Sequence, residues 1–436
     1  MSNYQSRLNV RKSLRLSVLD GAASFAMMGL TQNYITPFAL ALKATTVQIG
    51  LLSSFPSFAT AFSQLAAPNL VERAGSRKGV ILPMVFIHAI MWLPVFLLPY
   101  LFPDSGVWWL IGLFTISAVS GAIANPAWGS MMADLVHEDI RGRYFSFRGR
   151  IVTFTALAFS LVAGLLLQLF THHNVFIGFA IIFVGAMLFR FLSLYFLSRM
   201  YEPPMAQQNP DDASLFHMIT NLGSSNVGRF TVFMSLIYCA IMMAGPFFSV
   251  YMLRDLELNY MTYTLINCSS TISTIVFLPF WGRRADRAGN LKIIRITSCL
   301  LPVVPLLWLV SGNPLYLIGA NIFSGFVWSG LDLSSVNFLY DASDPENRTK
   351  QIAVFNSITS VAVSIGALAG GYIAPHLPET LGYQLRTLFT VSGVLRGVIV
   401  LLVLRSISEV RHVPKIDTFR LLMGRANQDR GSQNRL

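Results

Sequence analysis

Gly282-Arg283-Arg284-Ala285-Asp286-Arg287-Ala288-Gly289-Asn290-Leu291-Lys292 is a short, strongly charged stretch between two long apolar runs. An earlier stretch in the same setting, Glu72-Arg73-Ala74-Gly75-Ser76-Arg77-Lys78, repeats its acidic-Arg-x-Gly core. A second pair follows the first, because Asp134-Leu135-Val136-His137-Glu138-Asp139-Ile140-Arg141 is echoed by Asp341-Ala342-Ser343-Asp344-Pro345-Glu346-Asn347-Arg348. The two echoes are offset by 214 residues (Glu72 to Asp286) and 207 residues (Asp134 to Asp341), so two halves of the chain run nearly in register. A hinge used twice between apolar runs indicates a duplicated membrane protein.

Composition agrees. Hydrophobic residues make up 54% of the chain and charged residues only 12%, with a mean hydropathy of +0.57, whereas soluble domains carry about 25% charged residues. A bilayer core of about 30 Å needs about twenty apolar residues per helix, and runs of that length point to helices rather than a barrel. Twelve such runs are read, at 16–40, 46–69, 79–100, 107–133, 149–171, 175–198, 230–252, 260–280, 293–311, 314–339, 351–375 and 385–405. No short cleavable signal is read ahead of the first. The longest polar interruption, 199–229, carries Pro203, Pro204, Pro210, Asp211 and Asp212 and separates six spans from six. The expected organisation is a cytoplasmic N-terminus (1–15), a six-helix bundle (16–198), a cytoplasmic linker (199–229), a second six-helix bundle (230–405) and a basic tail (406–436). Within the linker, Leu215, Phe216, Met218, Ile219 and Leu222 recur at helical spacing, which predicts a short helix at the membrane face.

Lys and Arg set the orientation. With both termini cytoplasmic, 26 of the 32 basic residues fall in inside segments and only Lys43 and Arg254 in outside loops, the asymmetry that fixes topology. The net charge of +12 is then a consequence of topology and contact with anionic lipid, and calls for no nucleic-acid partner. Cys239, Cys268 and Cys299 all sit inside spans and suggest neither a disulfide framework nor a metal cluster. No cofactor is expected.

Twelve spans in two halves, with the acidic-Arg-x-Gly-x-Arg/Lys loop after the second and the eighth, resemble the major facilitator superfamily over residues 15–405. The later copy matches the family's G-x-x-x-D-R-x-G pattern through Gly282, Asp286, Arg287 and Gly289; the earlier one departs from it, with Pro68 for the first glycine and Glu72 for Asp. The resemblance implies an all-α membrane protein of two pseudo-symmetric six-helix bundles. It also implies a cytoplasmic gate made by Glu72, Arg73, Asp134 and Arg141 in one half and Asp286, Arg287, Asp341 and Arg348 in the other, with Arg73 near Asp134 and Arg287 near Asp341. The physics is independent of the family: a carboxylate at a helix end next to an Arg and a turn-forming Gly can form ion pairs and face the positive end of a neighbouring helix.

Ionisable residues inside spans are costly and mark function. Asp332 lies inside the tenth span, and the 207-residue offset places Asn125 at the equivalent point of the fourth. A carboxyl group in a low-dielectric cavity that opens to either side can take up and release a proton, so Asp332 is the first candidate for proton coupling. Asp20, in the first span, is the second, although pairing with Arg15 or an inner-loop Arg is its competing role. Arg190 and Arg396, 206 residues apart, are as compatible with a structural role as with a solute contact, and His88 with a buried hydrogen bond. Gln32, Asn33, Tyr34, Asn125, Trp128, Tyr238, Asn267, Trp328 and Asn337 supply polar and aromatic surfaces for a small, partly apolar solute; each also suits helix packing. Pro37, Pro56, Pro246 and Pro279 are candidate helix bends, and Gly366, Gly370 and Gly371 permit close helix contact.

Absent signatures narrow the class. Ile151 to Phe170 contains only Gly164, so the glycine-and-proline signature of drug/proton antiporters is missing. No Walker A loop is present, which excludes a self-contained ATP-driven pump. No His, Cys or acidic constellation has enzyme spacing. The expectation is a monomeric, multi-pass transporter of a bacterial inner membrane, not an enzyme, whose partners are a small solute, protons and lipid. An uncoupled facilitator and a membrane sensor or scaffold subunit are the alternatives.

Overall fold

The computed structural model describes residues 2–204, 225–343 and 348–410, and these are almost wholly helical. The expected linker helix around Leu215 and the basic residues from Arg411 onward lie outside the described residues. In chain order the helices are α1 (Ser2–Thr31), α2 (Ile35–Ala41), α3 (Thr46–Ala74), α4 (Arg77–Ile90), α5 (Trp92–Leu101), α6 (Gly106–Leu135), α7 (Glu138–Phe170) and α8 (Val175–Ser198). They continue with α9 (Asn226–Ala244), α10 (Phe247–Val250), α11 (Tyr260–Ala288), α12 (Asn290–Leu300), α13 (Val303–Val310), α14 (Pro314–Ala342), α15 (Arg348–Ile373) and α16 (Gln384–Val403). Among the described residues, ten helical stretches are long and apolar enough to cross a membrane. The expected first two spans fall on α1, α2 and α3, which are helical but more polar than those ten.

Proline breaks several spans where the sequence puts it. A proline removes a helical N–H and its ring clashes with the carbonyl four residues back. Pro94 follows the division of the third span into α4 and α5 at Met91, and Pro305 follows the division of the ninth into α12 and α13 at Leu301 and Pro302. Likewise Pro37 follows the Gln32–Tyr34 turn between α1 and α2, and Gly245-Pro246 separates α9 from α10.

The described helices group into two compact units. One gathers Met1–Asp212, Tyr238–Cys268 and Phe355–Leu388; the other gathers Ala213–Ile237, Ser269–Val354 and Phe389–Leu436. In the first, α1 packs along α7 and α8, and α6 packs against α3 and α4. Small residues set the spacing: a side chain at Gly29 would strike the Ala156 carbonyl, and side chains at Gly366 and Gly370 would strike the carbonyls of Cys239 and Met243. In the second unit α12 packs on α14, and Gly330 lets the Trp281 indole and Thr297 lie against the helix.

Candidate functional site

The duplicated hinge closes on itself within each unit. α3 begins with a reciprocal cap between Thr45 and Gln48 and ends at Gly75, whose φ of 62° turns the chain through the left-handed region, a conformation glycine adopts without penalty. Ser76 then caps α4 by accepting from Gly79 N–H at 2.9 Å. The Glu202 carboxylate accepts from the Ser76 hydroxyl at 2.9 Å and from the Arg77 backbone N–H, so an anion stands at the positive end of α4. The Arg77 guanidinium donates to Asp134 at 2.6 Å, and Lys78 Nζ covers the end of α8 by donating to the Ser198 and Met200 carbonyls. The second unit repeats the plan: Gly289 (φ 87°) precedes α12, Leu291 N–H donates to Glu409 at 2.9 Å, and the Asn290 amide donates to Asp341 at 2.8 Å.

These contacts correct two expected pairings. Arg77, not Arg73, reaches Asp134, and Asn290, not Arg287, donates to Asp341. The reason is the glycine turn, which leaves Arg73 and Arg287 exposed on the outgoing helix and puts Arg77 and Asn290 on the first turn of the next. Glu72 and Asp286 are exposed as well, and Arg141 donates to the Ala133 carbonyl at 3.0 Å. The side chain of Arg348 lies outside the described residues. Sequence reading missed Glu202 and Glu409, although they stand 207 residues apart, the offset of Asp134 and Asp341.

A buried charge cluster joins α1, α7 and α8 in the first unit. Asp20 is nearly inaccessible; it accepts from the Ser193 hydroxyl at 2.6 Å and stands 3.8 Å from Arg148, the inner-loop Arg among the pairing options that the sequence offers. Arg190 donates to Ser24 at 2.8 Å and to Ser193 at 3.2 Å, so its charge reaches Asp20 through a shared hydroxyl. Arg148 lies 4.4 Å over the Trp128 ring and donates to the Ser17 carbonyl; a side chain at Gly21 would collide with its guanidinium. Two guanidiniums thus share one carboxylate. Arg396, buried in the second unit, donates to the Leu301 carbonyl, and the buried Nδ1 of His88 has no hydrogen-bond partner among the described residues.

A different network ties the α1–α2 turn to α7 and α11. Pro37 has no N–H, so the Asn33 carbonyl four residues earlier lacks its helical donor; the Tyr263 hydroxyl donates to it at 2.6 Å. Tyr34 is fully buried, donates to the Ser160 carbonyl and lies 2.7 Å from Thr264 Oγ1. Asn33 also donates to Ser160 Oγ at 3.4 Å. Gly164 makes room for Thr264. The Asn267 amide donates to the Tyr263 carbonyl, as a helix-packing residue does. Tyr34 and Asn33, expected to meet solute, are therefore engaged with protein, while Gln32 beside them is exposed.

Asp332 has the opposite setting. Its side chain is exposed, without a hydrogen-bond or ion-pair partner among the described residues, on a face of α14 shared with Val336 (52% exposed) and Tyr340 (49% exposed). On α6 the equivalent positions Asn125, Gly129 and Ala133 are exposed too. Trp128, Tyr238, Trp328 and Asn337 are half-buried. Among the described residues no group of three or more His, Cys, Asp or Glu side chains is placed to hold a metal ion.

The sequence profile described as the Major Facilitator Superfamily matches residues 21–225 and 230–423. The chain belongs to that superfamily. No curated protein matches the sequence. Among solved structures, it is similar to a point mutant of the nucleoside transporter NupG, with a TM-score of 0.72 at 15% identity over 91% of this chain and 100% of that one. The NupG structure without that substitution gives 0.71 at 16% identity, over 91% and 98% of the two chains. A bacterial homologue of the iron transporter ferroportin, in an inward-facing state, gives 0.67 at 14% identity over 90% and 98%. At such identities the likeness is one of fold. Membership of a transporter superfamily, with ten apolar helices among the described residues, makes the chain an integral, multi-pass membrane protein of the transport class.

Proposed function

We propose that this protein is a secondary transporter carrying a small organic solute by alternating access, with proton coupling through Asp332. The observation that carries the reading is the unpartnered, exposed carboxylate of Asp332, about 15 Å from the Ala342 end of α14 at 1.5 Å per residue. A charge held against hydrocarbon at that depth costs about 3 kcal/mol or more, so the face of α14 that bears it borders water. Asn125 gives the matching face of α6 a neutral polar group. Of this equivalent pair, only Asp332 can exchange a proton.

The Tyr34–Ser160–Thr264 and Tyr263–Asn33 bonds support a closed gate at the end of the bundle where α2 and α11 begin. That end faces outward if the basic residues set a cytoplasmic location for both termini in a bacterial inner membrane. The Arg77–Asp134 and Asn290–Asp341 contacts then fix the two inner loops. Gln32, Asn125, Trp128, Tyr238, Trp328 and Asn337 are the residues proposed to meet solute, and Asp20 is a secondary proton site, in a protein working as a monomer. The test begins with a metabolite panel screened for thermal stabilisation, since a ligand of the folded form raises its melting temperature. Hits then enter proteoliposome flux assays under an imposed pH gradient. Gradient-driven accumulation supports the reading; a stabilising ligand that is never moved would instead support a sensor.

A further inference from the structure

The first unit carries a cavity of about 490 Å³ at the end opposite the Arg77–Asp134 contact, where α2 ends and α11 begins; Thr171, Asn259 and Tyr260 are among the residues lining it. Its lining charges and the backbone that holds them single it out. Lys43 and Arg254, the two basic residues that the topology leaves outside, both line it. Glu257 lines it as well. Lys43 and Glu257 are also two of the three non-glycine residues with a positive φ among the described residues, at 61° and 50°.

The backbone at Lys43 has an ordinary cause and an unusual occupant. Ala44 N–H donates to the Ala39 carbonyl and Lys43 N–H to the Leu40 carbonyl, both at 2.9 Å, which is the paired bonding of a helix that ends through a left-handed residue. Glycine is preferred there because a Cβ is strained in that conformation. Gly75, Gly289 and Gly382 are the glycines with positive φ elsewhere in the described chain, and Leu381 beside Gly382 is the remaining non-glycine residue. Holding Lys and Glu at two left-handed positions around one cavity keeps two charged side chains there at a cost in local stability, the pattern of strain retained for function.

The charges are arranged for a bipolar ligand. Arg254 is engaged with Asp255 at 2.8 Å and with the Thr46 hydroxyl at 3.2 Å. The side chains of Lys43 and Glu257 make no ion pair or hydrogen bond with each other or with any other described residue. An ammonium and a carboxylate that face one cavity without touching leave room for a molecule carrying the opposite pair. We propose that this cavity is a binding site for small zwitterions, taking the ligand's carboxylate at Lys43 and its ammonium at Glu257. The volume lies within the range of small-molecule sites. The proposal goes beyond the transport reading, and binding there is measured without flux, so the two can fail separately.

The test uses the full-length protein in detergent, titrated with an ω-amino acid ladder (glycine, 4-aminobutyrate, 6-aminohexanoate), with butyrate and butylamine as single-charge controls. At least one rung of the ladder is expected to bind at millimolar concentration and raise the melting temperature more than either control. Lys43→Gly and Glu257→Gly are each expected to weaken that binding at least tenfold while leaving the resting melting temperature equal or higher, since glycine relieves the left-handed strain. Controls as effective as every zwitterion, or variants that bind as the parent does, would overturn the proposal. So would a fall in resting melting temperature in both variants, which would make the two side chains structural.

Discussion

Replacing Gly164 with alanine is the sharpest probe of the proposed gate around Tyr34. Gly164 lies on α7, and a Cβ built there falls 2.7 Å from Thr264 Cβ and 2.9 Å from its Cγ2, closer still to its Oγ1. Real side chains do not stand that close, so α7 and α11 must separate or Thr264 must give up its place beside Tyr34. Overpacking of this kind costs about 1–3 kcal/mol, and here the cost falls only on the state in which the two helices are in contact. At 1.4 kcal/mol per factor of ten, the ratio of open to closed molecules rises roughly 5- to 150-fold. Cys268 is a native reporter: it sits one turn beyond Thr264 on α11 and is 4% exposed. With Cys239 and Cys299 replaced by serine, its alkylation by a membrane-impermeant reagent applied from outside should accelerate by about that factor in Gly164→Ala. Gly149→Ala on the same helix, where nothing lies within 4 Å, should leave the rate unchanged. A folded Gly164→Ala protein labelled at the parental rate would refute the reasoning.

Tyr263→Phe should lower the melting temperature by several degrees, because the Asn33 carbonyl has Pro37 where its helical donor should be and an unsatisfied buried acceptor costs about 1–3 kcal/mol. At the inner loop, Glu202→Ala should destabilise by about 2 kcal/mol, since it removes charge-assisted bonds to Ser76 and to the first N–H groups of α4. Asp134→Ala should cost about 1 kcal/mol or less, because its carboxylate is 44% exposed and solvent screens the pair with Arg77; equal losses in denaturation would contradict this order. In the buried cluster, Asp20→Asn strands two guanidiniums and should cost about 3–5 kcal/mol. Adding Arg190→Met should recover part of that loss in a double-mutant cycle, whereas additive losses would mean the two do not interact.

How far the sequence discloses this structure differs between features that repeat locally and features that form across the chain. Apolar runs and doubled loop charges depend on composition and spacing, so the spans and the hinge positions are legible. Proline positions are legible in part: Pro37 and Pro246 mark real breaks, whereas Pro56 and Pro279 lie inside the unbroken α3 and α11. Side-chain direction is not. A list of loop charges contains Arg73 and Arg77 on equal terms, and only the left-handed turn at Gly75 decides that Arg77 meets Asp134. Glu202 and Glu409 are within reach of the same duplication test that finds Asp134 and Asp341, if it is carried past the sixth and twelfth spans. Tyr34 reads as a solute contact because it is polar and lies near mid-span; its actual partners, Ser160 and Thr264, are 126 and 230 residues away, and no periodicity announces contacts of that range. Asp332 and Asn125 are legible as a pair through their offset, and their exposure on equivalent helix faces is what the fold adds.

The most direct test of the central claim is a comparison of two fluxes in proteoliposomes containing the Asp332→Asn protein and a solute identified by thermal stabilisation. One is solute uptake driven by an imposed pH gradient; the other is solute exchange with no gradient. The account predicts that the variant, folded and still able to exchange solute, loses gradient-driven accumulation entirely. Accumulation at the parental level after that substitution would contradict it.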